Sequence, residues 1–154
     1  MKPLETTIEE VLRNAIQSEI ETRAYYQKMA ERTGSEEVRK RMLQLADGEL
    51  LHRAKLERKY REALKQAPPN PQPVNIDLPP EIRDLDMTRA LKLALERERD
   101  SESYYRFMAE RAPVDSDLAN LFFELADIEW KHKTDLQSEY QSLLTDPEQF
   151  FRDF

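Results

Sequence analysis

Leu45-Ala46-Asp47-Gly48-Glu49-Leu50-Leu51-His52 returns, altered at three places, as Leu125-Ala126-Asp127-Ile128-Glu129-Trp130-Lys131-His132. In each copy a glutamate stands three residues before a histidine. Three residues is close to one turn of an α-helix, so the two side chains leave the same face, one above the other. A carboxylate and an imidazole placed in this way can hold one metal ion from a single rigid element. The chain has only two histidines, and both sit in this arrangement.

The repeat extends well beyond the motif. Shifted by 79, Ala15, Glu19, Tyr25, Tyr26, Met29 and Ala30 fall on Ala94, Glu98, Tyr104, Tyr105, Met108 and Ala109. Beyond the following turn the shift becomes 80, which one extra residue in the second turn explains. Each half therefore reads as a helical hairpin, with a lone glutamate on its first helix and the Glu/His pair on its second. Two such hairpins related by a pseudo-twofold axis would converge Glu19, Glu49, His52, Glu98, Glu129 and His132. Four carboxylates inside an apolar bundle cannot stay bare, because burying an uncompensated ion costs several kcal/mol. Two divalent cations would balance them, and oxygen ligands with one imidazole per ion suit iron or manganese, singly or mixed.

Composition agrees with an all-α chain. Good helix formers dominate, only two of the 154 residues are glycine, and the length fits one domain, taken as residues 1–154. Cysteine is absent, which excludes disulfides, thiolate metal sites and thiol catalysis, and leads us to expect a cytoplasmic protein. The N-terminus lacks the apolar core of a signal peptide, and no segment reaches the eighteen or so apolar residues of a membrane span. A net charge of −7 argues against a nucleic-acid binder.

Taken in order, the first hairpin is expected over 5–66. Its first helix starts near Thr6 or Thr7, and Ser35 caps the second after the turn Thr33-Gly34-Ser35. Residues 67–86 form a crossover. Six prolines between 67 and 80 forbid helix there, while Val74, Ile76 and Leu78 alternate and can pack as a strap. The second hairpin is expected over 87–144, with Asp115 or Ser116 as the cap of its second helix. The tail, 145–154, carries three phenylalanines and is expected to fold back or to meet a partner chain. Tyr26 and Tyr105, each seven residues after a lone glutamate, are either hydrogen-bonding supports of that glutamate or ordinary core tyrosines. Asp47 and Asp127 are expected in ion pairs, and Trp130 in packing.

Glu19 with Tyr26, Glu49-x-x-His52, Glu98 with Tyr105 and Glu129-x-x-His132 together resemble the ferritin-like superfamily and, within it, the rubrerythrin di-iron domain, over roughly residues 5–144. The resemblance implies an antiparallel four-helix bundle made of two repeated hairpins joined by a long Pro-rich crossover. It implies two iron ions, with Glu49 and Glu129 as terminal ligands beside His52 and His132, and Glu19 and Glu98 helping to bridge. It implies reduction of hydrogen peroxide or dioxygen at a diferrous centre, a peroxidase or ferroxidase chemistry, with iron binding, storage or delivery as the alternative. A homodimer is expected, and the proline strap allows the hairpins either to build the site within one chain or to swap between two. Two departures stand out. Rubrerythrins proper carry a rubredoxin-like domain with a four-cysteine iron; this chain has no cysteine, so its electron donor must act in trans or be absent. They also carry an extra glutamate one turn after the lone glutamate of the third helix, where this chain has Ser101, and Thr22 at the equivalent place in the first half. Glu102 is adjacent but about 100° further round the helix.

Overall fold

The computed structural model describes residues 7–145. The expected N-terminal and tail features outside that range, including Phe150, Phe151 and Phe154, lie outside the described residues. The described chain is all-α: α1 Ile8–Arg32, α2 Glu36–Leu64, a short 3-10 helix Pro80–Asp84, α3 Met87–Arg111 and α4 Asp117–Thr145. It divides between Leu85 and Asp86 into two compact units, each a helical hairpin.

The ends of the helices follow from local chemistry. Thr7 caps α1 by accepting from the Glu10 amide, and Glu9 and Glu10 place negative charge in the first turn, where the helix dipole favours it. Ser35 caps α2 through the Val38 amide, and Asp86 caps α3 through the Arg89 amide. Ser116 receives the Ala119 amide at the start of α4, after a turn in which Asp115 adopts φ 59°. Lys65 ends α2 in the left-handed conformation, its amide bonded to Arg61 O.

Each hairpin buries one apolar face of its first helix. On α1, Val11, Leu12, Ala15, Ile16, Tyr26, Met29 and Ala30 are buried, with Glu19 and Thr22 among them. On α3, Ala90, Leu91, Ala94, Leu95, Tyr105 and Ala109 are buried, with Glu98 and Glu102 among them. The repeat holds in detail at the tyrosine pairs. Tyr25 and Tyr26 meet edge-on at 5.7 Å between ring centroids, and Tyr104 and Tyr105 at 5.3 Å.

The proline-rich stretch is an ordered strap on its own hairpin. Gln72 exchanges two hydrogen bonds with the Gln17 side chain, Lys28 Nζ donates to Ile76 O at 2.7 Å, and the Gly34 amide donates to Arg83 O at 3.0 Å. The three contacts advance in step along α1, so the strap runs parallel to it and ends beside the α1–α2 turn. Leu78 is buried, Val74 and Ile76 are partly covered, and their neighbours Asn75 and Asp77 face solvent, the alternation expected of a packed extended chain. The 3-10 turn within 67–86 was not expected; Pro80 at its first position presets the required φ, and Ile82 anchors it in the core. Gly34 has no positive φ. It is glycine because a Cβ there would come within 3.0 Å of Arg83 O.

Candidate metal centre

Each hairpin gathers its own three ligand-type side chains. In the first, Glu19 comes from the middle of α1, and Glu49 and His52 from one face of α2. His52 Nδ1 lies 3.5 Å from Glu49 Oε2 and 3.9 Å from Glu19 Oε2. In the second, α3 supplies Glu98 and α4 supplies Glu129 and His132. His132 Nδ1 lies 3.5 Å from Glu98 Oε2 and 3.6 Å from Glu129 Oε2. The same positions thus make the same constellation twice, as the shifts of 79 and 80 require.

All four glutamates are buried, with 2–5% of their surface exposed, and each histidine side chain keeps 19%. In Glu98, Glu129 and His132 the ligand atoms lie within 4.8 Å of one another, close enough to hold a metal ion. Burial opposes charge on His132, but the adjacent Glu129 and Glu98 carboxylates outweigh it and raise its pKa to about 10. Without a metal, His132 is therefore an imidazolium at neutral pH, and its charge partly offsets the two carboxylates. Each triad offers two carboxylates and one imidazole with no thiolate, a set that fits hard to intermediate cations such as iron and manganese.

Tyr26 and Tyr105 are both buried in their hairpins. Asp127 pairs with Arg106 at 3.7 Å, as expected, whereas Asp47 is exposed and shows no such pair. The repeat explains the difference, because Gln27 stands where Arg106 would be. Trp130, expected to pack, leaves 46% of its surface exposed.

Glu102 is the site residue that sequence reasoning passed over. It is buried, 7% exposed, and its carboxylate accepts from Lys133 Nζ at 2.6 Å and from Arg106 Nε at 3.1 Å. The signal was available in the spacing: Arg106 is four residues on, and Lys133 directly follows a ligand-type histidine. Burial raises the Glu102 pKa, but the two cationic donors outweigh it and hold the carboxyl below its ordinary value.

Comparison with protein families now bears on this geometry. Residues 10–76 match the family model Rubrerythrin. The first hairpin is therefore similar to that family's domain. The match holds Glu19, Glu49 and His52 and the first half of the 67–86 strap, and spans just under half of the chain. The second hairpin lies outside the matched residues; the internal repeat places the same three residue types there in the same geometry. A search of curated proteins and of solved structures returned no match. Among the described residues no helix is long and apolar enough to cross a membrane.

Proposed function

We propose that the chain is a rubrerythrin-like di-iron carboxylate protein that reduces hydrogen peroxide or dioxygen. The observation that carries the proposal is the duplicated triad: two buried glutamates around one histidine, built twice from equivalent positions. A di-metal centre needs both triads, so the proposal has Glu19, Glu49, His52, Glu98, Glu129 and His132 share two ions in one ferritin-like four-helix bundle. The donor chemistry fits iron, with manganese as the competing metal.

A pair of ferrous ions would supply two electrons, the number hydrogen peroxide takes up, with two protons, in becoming two waters. The residues themselves do the rest. The glutamates fix the ions and cancel their charge, and the stiff helical spacing of each Glu/His pair holds the ligand atoms in place. His52 and His132 must be neutral to ligate, so His132 gives up its proton when metal enters. The apolar layers around Leu12, Ile16, Leu91 and Leu95 keep bulk water from the carboxylates. With no cysteine in the chain, re-reduction falls to a donor in trans.

The test is stopped-flow mixing of the iron(II)-loaded protein with peroxide. Oxidation well above the rate for free ferrous ion, lost in Glu98→Ala, supports the proposal. Oxidation no faster than free ferrous ion, with iron still retained, would replace it with iron handling without turnover.

A further inference from the structure

The repeat is broken beside the triads, and the break puts a cation where the second hairpin has the Glu102 carboxylate. In the second hairpin, Glu102 lies four residues after Glu98 and Lys133 one residue after His132, and the two meet at 2.6 Å across the hairpin. The equivalent positions in the first hairpin, four after Glu19 and one after His52, are Arg23 and Arg53. The two hairpins share their register, since Glu19 meets His52 as Glu98 meets His132. Arg23 and Arg53 therefore occupy the facing positions that an acid and a base fill in the other half.

The acid in the middle is missing from the first half. The Nε atoms of Arg23 and Arg53 are both buried, and neither has a hydrogen-bond partner among the described residues. Arg53 Nε has one ion-pair contact, with Glu57 Oε1 at 3.3 Å on its own helix, and both side chains are about a quarter exposed. Among the described residues no ion pair offsets Arg23. Gln27, where the second hairpin has Arg106, adds a neutral amide at the edge of the same crease. A buried guanidinium N–H without an acceptor is unfavourable, and the planar fork of donors matches an oxyanion with two or more oxygens in reach.

We propose that the α1–α2 crease at Arg23 and Arg53 binds a phosphate-type oxyanion, which takes the place that the Glu102 carboxylate fills in the second hairpin. The anion would sit one helical turn from Glu19 and Glu49, yet on cationic side chains that belong to no ligand triad. The proposal stands whether or not the duplicated triads carry out redox chemistry. A tetrahedral phosphate can accept from both guanidinium forks at once, which a small carboxylate does less completely.

The test is calorimetric titration of inorganic phosphate into the full-length chain, both metal-free and manganese-loaded, since phosphate also coordinates metal ions. We expect saturable one-site binding in both forms, weakened at least tenfold in Arg23→Gln and in Arg53→Gln, with acetate binding more weakly than phosphate. Helix content and melting temperature of the two variants, measured alongside, distinguish a lost site from a lost fold. Phosphate uptake only by the metal-loaded protein, equal affinity in the wild type and both variants, or acetate binding as tightly as phosphate would each overturn the assignment. So would dissociation of an oligomer in Arg23→Gln without any phosphate binding, because the missing acid would then come from a second chain.

Discussion

Lys133 Nζ donates a 2.6 Å hydrogen bond to Glu102 Oε1 from the residue that directly follows His132. The pair ties α3 to α4 beside the second triad, and Arg106 holds the other carboxylate oxygen at 3.1 Å. Removing one partner strands the other, partly desolvated. Glu102→Gln should therefore destabilise the protein by about 1–2 kcal/mol. Denaturant melts of Glu102→Gln, Lys133→Met and the double variant form a cycle that should show coupling above about 0.5 kcal/mol. Because the Glu102 pKa is lowered in the folded state, this contribution is present above the ordinary carboxylate range and fades as pH falls through the depressed value. Additive single effects would show that the contact stabilises nothing.

His132 has the opposite sign. Its pKa is raised to about 10 in the metal-free protein, against an ordinary value near 6.5 in the unfolded chain. The stabilisation is complete below the ordinary value and is lost as pH rises through about 10. Melting temperatures of metal-free protein between pH 6 and 10.5 should fall toward the alkaline end. His132→Gln should flatten that fall. An unchanged slope in the variant would mean that other groups cause the alkaline loss.

The two glycines should respond oppositely to alanine. At Gly34 the new Cβ would meet the backbone oxygen of Arg83 at 3.0 Å, and backbone cannot rotate away as a flexible side chain can. Gly34→Ala should cost about 1–2 kcal/mol by lifting the strap from the α1–α2 turn. At Gly48, inside α2, nothing lies within 4 Å of the new Cβ, so Gly48→Ala should stabilise by about 0.5–1 kcal/mol through helix propensity. Urea denaturation of the two variants checks both signs, and a stable Gly34→Ala would remove the close approach as the reason for that glycine.

Much of this was legible in the sequence because two periodicities coincide. The three-residue Glu/His spacing and the dominance of helix formers point to helices, and the repeat pairs Glu19 with Glu98 as equivalents. The start of α2 was legible because Ser35, after the Thr33-Gly34 turn, is a strong cap, whereas Thr6 and Thr7 offered equal chemistry for α1 and it is Thr7 that accepts from the Glu10 amide. What the sequence hid depends on contacts across helices. Glu102 lies off the position one turn after Glu98, and the approach of Lys133 from α4, with Arg106 beside it, makes its burial tolerable. Trp130 looked like core because it is large and apolar, but its position turns it outward from the face that carries Glu129 and His132. The 3-10 turn at Pro80–Asp84 was concealed by prolines that forbid an α-helix but not a single tighter turn.

The central claim is that the two triads jointly hold a pair of ions, and metal content tests it most directly. Protein reconstituted anaerobically with ferrous iron, freed of excess metal and analysed by mass spectrometry, should retain two irons per chain. Glu98→Ala/Glu129→Ala and Glu19→Ala/Glu49→Ala should each retain about one or none while keeping their helix content. Wild-type protein that holds no stoichiometric iron or manganese, or double variants that retain as much metal as the wild type, would contradict the account.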